Sequence, residues 1–375
     1  MRILHLAYED PQQPGSGGGS LRTREIYRRL ASRHHIRVVV SGYPGARARF
    51  EDGVHWIPLG LHTGKKLDQL SYLVLLGTAI RRYPHDLLVE DFGPPWSVGF
   101  SPLFSRKPVI AMVNWFFTKE MSRKYKLPFN WIEDLGLPLY KDFISPSTSV
   151  ANQLACRRPG ARVEVIPNGI EDSAFNVQPM PPRHLLFVGR LDIAQKGLDL
   201  LLSIFARVRE SLGDQTPPLL IVGDGRDQPA VKREVYRLGL EGLVKFLGRV
   251  DGAAKYALMA EAYAVLMPSR FETFGIVGIE SQASYAPIVA FDVGAIEEVI
   301  GPGGGRLVRP FDVGAFAQET LRLVCEAGWH DKLRKEGRLW ARRYNWDDIA
   351  LRQEGHYRSV LDLESPAYVL NAQST

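Results

Sequence analysis

The segment PSRFETFGIVGIESQAS, residues 268–284, decides the fold of this chain. It follows the apolar run 263–267, which predicts a buried strand, and it passes through a polar loop into a helical pattern that begins near Phe274. A strand, a loop and a helix in this order are typical of a parallel α/β sheet. Ligands of such sheets bind beyond the carboxyl ends of the strands, so the loop is also a candidate site.

The residues of this segment predict a site for a phosphate that is linked to hydroxyl-bearing groups. A helix start offers free N–H groups, here including that of Gly275, and a partial positive charge, which together receive an anion such as a diphosphate. Glu272 in the loop and Glu280 in the helix can accept hydrogen bonds from hydroxyls on either side of the phosphate. The alternative is that both glutamates only complement the helix dipole and solvate its end.

Short apolar runs alternate with helical patterns along the whole chain, which predicts parallel sheets with crossover helices. The proline-rich segment QPMPPR, residues 178–183, has no periodicity and separates two such series. We therefore expect two Rossmann-like domains that face each other across a cleft. The strands are expected at residues 2–7, 36–41, 86–90, 108–113 and 163–166 in the first series, and at 184–188, 219–222, 243–247, 264–267 and 287–291 in the second.

The composition is that of an ordinary globular protein, since 45% of the 375 residues are hydrophobic and 23% are charged. The longest nearly apolar run, residues 70–80, is too short to cross a bilayer, and the first residues lack a signal-peptide pattern. Cys156 and Cys325 form neither a disulfide framework nor a CxxC metal site. We expect a cytoplasmic enzyme without a structural metal.

Positive charge is concentrated in the first part of the chain. Residues 1–165 carry a net charge of +9, and residues 166–375 carry a net charge of −3. A basic domain can hold an anionic lipid surface at the inner face of a membrane, or a phosphorylated acceptor; the alternative is a solvated helix face. Nucleic acid is not expected, because aromatic residues do not alternate with the basic ones in a recognisable module. The basic clusters are Arg22, Arg24, Arg28, Arg29 and Arg33 on one predicted helix, and Arg123, Lys124 and Lys126 further along.

A glycine-rich loop, GSGGGS at residues 15–20, follows the first predicted strand and precedes a predicted helix. Its glycines permit close approach of the backbone to a phosphate or a sugar. The loop is not a dinucleotide-binding fingerprint, because Ser20 stands where the third glycine is needed and the second strand ends in Val40 and Ser41 without an acidic residue. A nicotinamide-dependent dehydrogenase is therefore disfavoured, and a flexible surface loop is the alternative interpretation.

Charged residues also follow two other predicted strands. Arg190 and Lys196 come just after the strand LLFVG, where two cations can neutralise a diphosphate leaving group; otherwise they are ordinary surface charges. Glu90 and Asp91 end the strand in LLVEDFG and are candidates for contact with an acceptor or for proton transfer. A buried carboxylate at a strand end is alternatively a loop cap.

The spacing Glu272-x7-Glu280 after a strand resembles the signature of retaining glycosyltransferases with the GT-B architecture, family four, also called the group 1 glycosyl transferases. The likeness covers most of residues 1–362 and is strongest from about residue 160 onward. It implies an acceptor-binding domain over residues 1–175, a nucleotide-sugar-binding domain over 184–345, and a last helix, 346–363, that crosses back to the first domain. The other similar segments are VIPNG (165–169), GRLDIAQKGLDLLL (189–202), IVGDG (221–225), VKFLGRV (244–250), PIVAFDVGAIEEVI (287–300) and YNW (344–346).

The resemblance also implies roles for individual residues. Glu272 is expected to orient the donor sugar, and Glu280 is expected to accept hydrogen bonds from the ribose hydroxyls of the nucleotide. Arg190 and Lys196, together with the helix start, are expected to stabilise the departing phosphate. The remaining donor contacts are expected from the amides of Phe274, Gly275 and Ile276, from Gly18 and Gly19 on the first-domain side, and from the backbone of Arg249 and Val250 beside the base.

One position departs from the pattern of the family. The family usually has a histidine at the end of a first-domain strand, where it contacts the donor sugar, and here PVIAMVNW places Asn114 at that position. Asparagine can donate and accept hydrogen bonds but cannot carry a proton. We therefore expect an altered choice of donor or a lowered turnover.

Together these features predict a retaining glycosyltransferase that moves a sugar from a UDP- or GDP-sugar to a hydroxyl acceptor, which can be lipid-linked. The product would be a polysaccharide, a glycolipid or a glycosylated natural product. The sequence has no DxD metal motif, and neither a cofactor nor an obligatory metal is expected. Two alternatives remain open. One is a nucleotide-sugar epimerase with Glu90 and Asp91 as its acid/base candidates, and the other is a catalytically weak sugar-nucleotide-binding protein, which Asn114 motivates.

Overall fold

A computed structural model describes residues 1–64, 66–93, 100–114, 116, 122, 126 and 129–363. The basic residues Arg123 and Lys124, named above, lie outside the described residues. The chain divides into two compact α/β units, of which the first comprises residues 1–168 with the C-terminal helix from Trp346, and the second comprises Gly169–Asn345. Within the described ranges, no helix is both long and apolar enough to cross a bilayer.

The first unit is built on an eight-stranded sheet. Its strands are β1 (Arg2–Leu6), β2 (His35–Ser41), β3 (Arg49–Glu51), β4 (Val54–Leu59), β5 (Leu87–Asp91), β6 (Val109–Met112), β7 (Asp142–Ser145) and β8 (Arg162–Val165). The strand order is β3-β4-β2-β1-β5-β6-β7-β8, and β3 pairs with β4 in the antiparallel sense while the other pairs are parallel. Apolar residues of the strands face both sides, so that Ile3 lies in one core cluster and Leu4 in the other.

The second unit is built on a six-stranded parallel sheet. Its strands are β9 (His184–Val188), β10 (Leu219–Val222), β11 (Val244–Gly248), β12 (Ala262–Met267), β13 (Ile288–Phe291) and β14 (Gly305–Val308). Neighbouring residues again enter opposite cores, with Leu266 in one and Met267 in the other. The strand order is β11-β10-β9-β12-β13-β14, so the chain leaves β9 towards one edge of the sheet and leaves β12 towards the other.

Helices connect the strands in both units. They are α1 (Gly18–Leu30), α2 (Lys66–Arg82), α3 (Phe129–Gly136), α4 (Thr148–Arg157), α5 (Ile193–Lys196), α6 (Leu198–Leu212), α7 (Gln228–Arg237), α8 (Gly252–Ala260), α9 (Ile276–Ala283), α10 (Ile296–Ile300), α11 (Val313–Cys325), α12 (Ala327–Ala341) and α13 (Trp346–Leu363). Helix α13 contributes Trp346, Ile349 and Tyr357 to a core cluster that also holds Tyr27 of α1, and this places the C-terminal helix in the first unit.

The division between the units falls earlier than the expected end of the first domain at residue 175. It lies between Asn168 and Gly169, because Ile170 and Ala174 are buried in a core cluster of the second unit. Ile170 also forms a parallel bridge with Asn345, and its N–H donates to the carbonyl of Tyr344 at 2.9 Å. The proline-rich segment 178–183 therefore lies inside the second unit, next to β9.

The ten expected strands are all present within a few residues, but four strands were missed. These are β3, β4, β7 and β14. They carry weak apolar signals, since Pro58 interrupts β4, Asp142 and Ser145 end β7, and Arg306 lies inside β14. β4, β7 and β14 are stabilised by pairing with strands that are distant in sequence, and local periodicity does not report that pairing. β3 is a three-residue edge strand that pairs with β4 in a hairpin.

The expected basic face of α1 is only partly present: Arg24, Arg28 and Arg33 are exposed, but Arg22 does not belong to it. Arg22 is fully buried, and its guanidinium donates to the carbonyls of Ile166 at 3.0 Å and Pro167 at 2.7 Å and to the side chain of Gln353 at 2.7 Å. Burial lowers the pKa of Arg22 to about 10. The other arginines of this cluster lie within ion-pair distance of carboxylates: Arg24 of Glu51, Arg28 of Glu25, Arg29 of Asp347 and Arg33 of Glu354.

Candidate functional site

The loop between β12 and α9 is held in place by two of its own residues. Phe274 is buried and meets Tyr344 edge-on, with the ring centroids 6.0 Å apart. Gly275 caps α9 with φ at +82°, and a Cβ there would lie 2.5 Å from the side chain of Ile296. Only glycine meets both conditions. The helix therefore begins at Ile276, slightly later than expected, and its first N–H groups have no acceptor within the helix.

Glu272 and Lys196, which the sequence analysis assigned separately, form an ion pair. The carboxylate of Glu272 is almost buried, accepts a hydrogen bond from the ammonium of Lys196, and accepts another from the hydroxyl of Ser269 at 2.9 Å. Their loops follow β12 and β9, which are adjacent strands from which the chain departs in opposite directions. Such a divergence leaves a crevice at the carboxyl ends of the strands, which is where open α/β sheets bind ligands.

The loop after β9 adds a second cation to the crevice edge. Arg190 is exposed, and its guanidinium has no hydrogen-bond or ion-pair partner among the residues that the structure describes. Lys196 ends the one-turn helix α5, which is fixed because the side chain of Asp192 accepts the N–H of Gln195 at 3.0 Å. Among the described residues, Arg190 is therefore unpaired, whereas Lys196 is paired with the carboxylate of Glu272.

Arg270 joins these two loops, and the sequence analysis missed it. Its guanidinium donates to the carbonyl of Ile193 at 2.7 Å and to both carboxylate oxygens of Asp199 at 2.9 and 2.7 Å. Its own N–H donates to the carbonyl of Gln195 at 2.8 Å. The hydrogen bond with Asp199 raises the pKa of Arg270. This clamp fixes the separation of the loops that carry Lys196 and Glu272.

A further loop supports Glu272 from the side of β13. The N–H of Ala295 donates to the carbonyl of Glu272 at 3.3 Å. Gly294 has φ at +64°, and a Cβ on this residue would overlap the same carbonyl oxygen. The segment GAIEEVI was recognised as a similar stretch, but the sequence does not reveal that its glycine touches the backbone of Glu272.

Glu280 is buried in α9 and is held by Lys255 of α8. The ammonium of Lys255 lies 2.8 Å from the carboxylate of Glu280. Burial raises the pKa of Glu280, whereas the charge of Lys255 opposes that rise. The neighbouring Tyr256 donates to Glu171 at 3.3 Å, so a second carboxylate lies close by. Lys255 was missed because a lysine in a helix is usually a surface charge.

We expect Lys255→Met to destabilise the protein by about 3 kcal/mol at neutral pH, because it leaves a buried carboxylate without its partner. The pKa of Glu280 in the folded state then rises further above that of a glutamate in the unfolded chain. At pH values between these two pKa values, the folded state binds a proton that the unfolded state has released. Stability is therefore lost as pH rises, and the loss is smaller near pH 5 than near pH 7. Urea denaturation at both pH values measures the difference.

The matched control for this prediction is Lys335→Met, which replaces an exposed lysine of α12. It should leave the free energy of unfolding nearly unchanged at both pH values. Adding Glu280→Gln to Lys255→Met should remove most of the pH dependence. An equal loss at both pH values in the single variant would contradict the role of the Lys255–Glu280 pair.

Arg249 and Val250 lie just past β11. Arg249 is exposed and forms a 2.7 Å hydrogen bond with Asp251, which raises its pKa. Val250 packs against a core cluster of the unit. The N–H of Gly223, after β10, donates to the carbonyl of Gly248 at 2.7 Å, so these residues lie at the same sheet edge as the crevice.

The predicted residues of the first unit lie at the start of α1 and just after β6. A Cβ on Gly19, in the first turn of α1, would be 3.7 Å from the amide nitrogen of Asn114, so this backbone runs beside the asparagine side chain. Gly18 is the first residue of the helix, after Gly17 as N-cap. The glycine-rich loop and Asn114 are thus brought together.

Glu90 and Asp91 have different surroundings. Glu90 is fully buried, and the hydroxyl of Tyr140 donates to its carboxylate at 2.5 Å. Burial raises the pKa of Tyr140. Asp91 is partly exposed and lies 3.0 Å from the ring Nε2 of His5, a partner that the sequence analysis did not identify. Among the described residues, no three His, Cys, Asp or Glu side chains are grouped so that they could hold a metal ion.

Comparison with known families matches both units. Residues 16–174 match the model of Glycosyltransferase Family 4, and residues 182–326 match that of Glycosyl transferases group 1. The sequence is 32% identical over 209 residues to a phosphatidyl-myo-inositol mannosyltransferase of Mycobacterium leprae, covering 54% of each chain. It is 29% identical over 228 residues to a D-inositol 3-phosphate glycosyltransferase of Corynebacterium urealyticum, covering 57% of this chain and 54% of the other. The chain thus spans about half the length of the curated relatives it matches.

Solved structures match nearly the whole chain. Sucrose-phosphate synthase from Thermosynechococcus elongatus superposes with a TM-score of 0.80 at 20% identity, covering 97% of this chain and 100% of the other. Anabaena HepE in complex with UDP and glucose gives 0.75 at 19% identity, covering 96% and 100%. At such identities the likeness shows the fold alone. The expected α/β fold of GT-B type is confirmed by these matches and by the two parallel-sheet units.

Proposed function

The chain belongs to glycosyltransferase family 4, the group 1 glycosyl transferases, and on that premise we propose that it is a retaining glycosyltransferase. It moves a sugar from a nucleoside diphosphate sugar to a hydroxyl acceptor. The observation that carries this proposal is the Lys196–Glu272 pair beside the start of α9. This crevice offers a cation for a diphosphate, free amides for its oxygens, and a carboxylate for sugar hydroxyls.

The cations act on the leaving group. When the bond between the anomeric carbon and the phosphate oxygen breaks, negative charge develops on the diphosphate. Arg190 and Lys196 neutralise that charge together with the amides of Gly275 and Ile276, and preorganised donors of this kind supply much of the rate enhancement of enzymes. As Lys196 turns to the phosphate, the carboxylate of Glu272 becomes available to the hydroxyls of the sugar.

The nucleoside is bound further along α9. Glu280 accepts hydrogen bonds from the ribose hydroxyls, and Lys255 keeps its carboxylate charged in a buried position. The backbone of Arg249 and Val250 contacts the base of the nucleotide. Phe274 contributes its N–H to the phosphates while its ring stays in the core.

Retention of configuration follows from the proposed path of the proton. The acceptor oxygen attacks the anomeric carbon on the face from which the diphosphate departs. The proton of the acceptor hydroxyl passes to the phosphate oxygen that leaves, so no protein nucleophile is required. We propose that no divalent metal is required either, because the two cations and the helix start supply the positive charge.

The acceptor is proposed to bind to the first unit, where Glu90 and Asp91 at the end of β5 are its candidate contacts. The names of the relatives, a phosphatidyl-myo-inositol mannosyltransferase and an inositol 3-phosphate glycosyltransferase, favour a hexose donor and a phosphorylated or lipid-linked polyol as acceptor. Asn114 stands in the position of a family histidine as a hydrogen-bonding group that cannot carry a proton.

The proposal is tested with UDP-, GDP- and dTDP-hexoses in the presence of a chelator. One of them should raise the unfolding midpoint of the protein, since a ligand of the native state stabilises it. The same donor should transfer its hexose to a polyol or lipid acceptor, and the glycosidic bond should keep the configuration of the donor. Failure of every donor to bind would sink the proposal.

Two other results would favour the alternatives. Isomerised donor in the absence of acceptor would indicate an epimerase, although the burial of Glu90 leaves Asp91 as its acid/base candidate. Tight binding of a nucleotide sugar without transfer to any acceptor would indicate the catalytically weak binding protein that Asn114 motivates.

A further inference from the structure

Helix α2 exposes a stripe of apolar side chains. Leu67, Leu70 and Val74 are 56%, 54% and 73% exposed, and their spacing places them on one face. The opposite face is also apolar, since Tyr72, Leu76 and Ile80 are buried in a core cluster and hold the helix to the unit. The exposed stripe is therefore not needed to anchor the helix, and apolar patches of this kind mark interaction surfaces.

The stripe continues onto the short 3-10 turn Ser101–Leu103, which lies between β5 and β6 in the sequence. The ring of Phe104 lies against Gly77 of α2, where a Cβ would be 3.0 Å from two ring atoms, and Leu103 beside it is 66% exposed. The guanidinium of Arg81 lies 5.7 Å above the same ring. The helix face and the turn thus form one apolar surface, defined here as the α2 face.

Basic residues border the α2 face. Arg81 and Arg82 end the helix, Arg106 and Lys107 follow the turn, and all four are exposed. None of them has an ion-pair partner within the part of the chain that the structure describes. Arg106 and Lys107 also line a surface pocket together with Lys141 and with Asp142, whose carboxylate is paired with Arg162. Their positive charge is therefore available to an external anion.

Acidic residues are absent from the exposed side of α2. Its single acid, Asp68, is buried, and its carboxylate accepts the N–H groups of Thr63 at 2.9 Å and Gly64 at 2.7 Å. The contrast with α1 is informative, because the arginines of α1 are buried or lie beside carboxylates. The α2 face therefore combines exposed apolar side chains with four exposed cations that have no ion-pair partner among the described residues.

We propose that the α2 face binds the surface of an anionic lipid bilayer. Leu67, Leu70 and Val74 enter the boundary between headgroups and acyl chains, and the basic border contacts lipid phosphates. A second copy of this chain fits less well, because it would bring two basic borders together. The surface does not depend on glycosyl transfer, but it would hold the proposed lipid-linked acceptor close to the first unit.

Flotation with lipid vesicles tests the proposal on the full chain. The wild type should float with vesicles of phosphatidylcholine and phosphatidylglycerol, and much less with phosphatidylcholine alone. The variant Leu70→Gln with Val74→Gln should bind at least about tenfold more weakly. Arg81→Gln with Arg82→Gln should bind about thirtyfold more weakly, and added salt should reduce wild-type binding.

Matched controls lie in the second unit. Leu339→Gln replaces an equally exposed leucine of α12, and Arg233→Gln replaces an exposed arginine of α7. Both should float like the wild type. The thermal unfolding midpoint, with and without the nucleotide sugar, shows that each variant is folded and keeps its donor site.

Three results would overturn the proposal. The first is a wild type that floats with neither vesicle, and the second is flotation that neither double variant weakens. The third is a dimer seen by light scattering that Leu70→Gln with Val74→Gln dissociates, without vesicle binding, which would assign the face to protein association. Vesicle binding without binding of any nucleotide sugar would contradict the proposed glycosyltransferase function but would still support the membrane-binding role of the α2 face.

Discussion

Replacing Lys196 by methionine should lower kcat/KM for the nucleotide sugar about a thousandfold, which is the size of effect seen when one group that stabilises a developing charge is removed. The methionine keeps the length of the side chain but removes the charge that meets both Glu272 and the departing diphosphate. Release of the nucleoside diphosphate in the presence of acceptor measures the rate. The loss should fall mainly on kcat, because the charge develops in the transition state.

The control is again Lys335→Met, which should keep the wild-type rate. A double variant, Lys196→Met with Glu272→Gln, separates catalysis from the loss of the ion pair. Because the two side chains act together, the combined loss should be smaller than the product of the single losses. Lys196→Met with wild-type kcat would remove this residue from the chemistry.

Gly294→Ala should lower the free energy of unfolding by about 3 kcal/mol or more and abolish most activity. The backbone of Gly294 has φ at +64°, which alone disfavours alanine by about 1–2 kcal/mol. The added Cβ would also overlap the carbonyl oxygen of Glu272, so the loop that carries this carboxylate must move. Chemical denaturation measures the loss of stability. The transfer assay measures the loss of activity that follows when the loop is displaced.

Gly252→Ala supplies the comparison, because Gly252 has φ at +58° but no atom within 4 Å of its Cβ position. It isolates the backbone effect, and we expect a loss of about 1 kcal/mol with activity retained. Equal losses in the two variants would show that the contact between Gly294 and Glu272 does not matter.

The sequence predicted the parts of the site that follow from local order. Glu272 and Lys196 each lie in the segment that follows a buried strand, and adjacent parallel strands bring such segments to one edge of the sheet. Gly275 stands at a strand-to-helix transition, where a glycine is expected to start a helix. The repeated alternation of strands and helices was enough to predict two α/β units.

Contacts between distant residues could not be predicted. Arg270 pairs with Asp199, which lies 71 residues away, and Lys255 pairs with Glu280, which lies 25 residues away. A count of charges also overstates the exposed positive charge of α1. It includes Arg22, whose guanidinium is buried and donates to backbone carbonyls. Sequence patterns give the sign of a charge but not its partner.

The bridge between Ile170 and Asn345 has a consequence for how this chain can be rearranged. It holds the two ends of the second unit side by side, as the termini of an independently inserted domain would be. We therefore expect that the segment Gly169–Asn345 can be replaced as one unit. Replacing it with the corresponding segment of a relative needs only two neighbouring splice points. If the donor binds to the second unit, as we propose, the preference for a donor should be transferred with this segment.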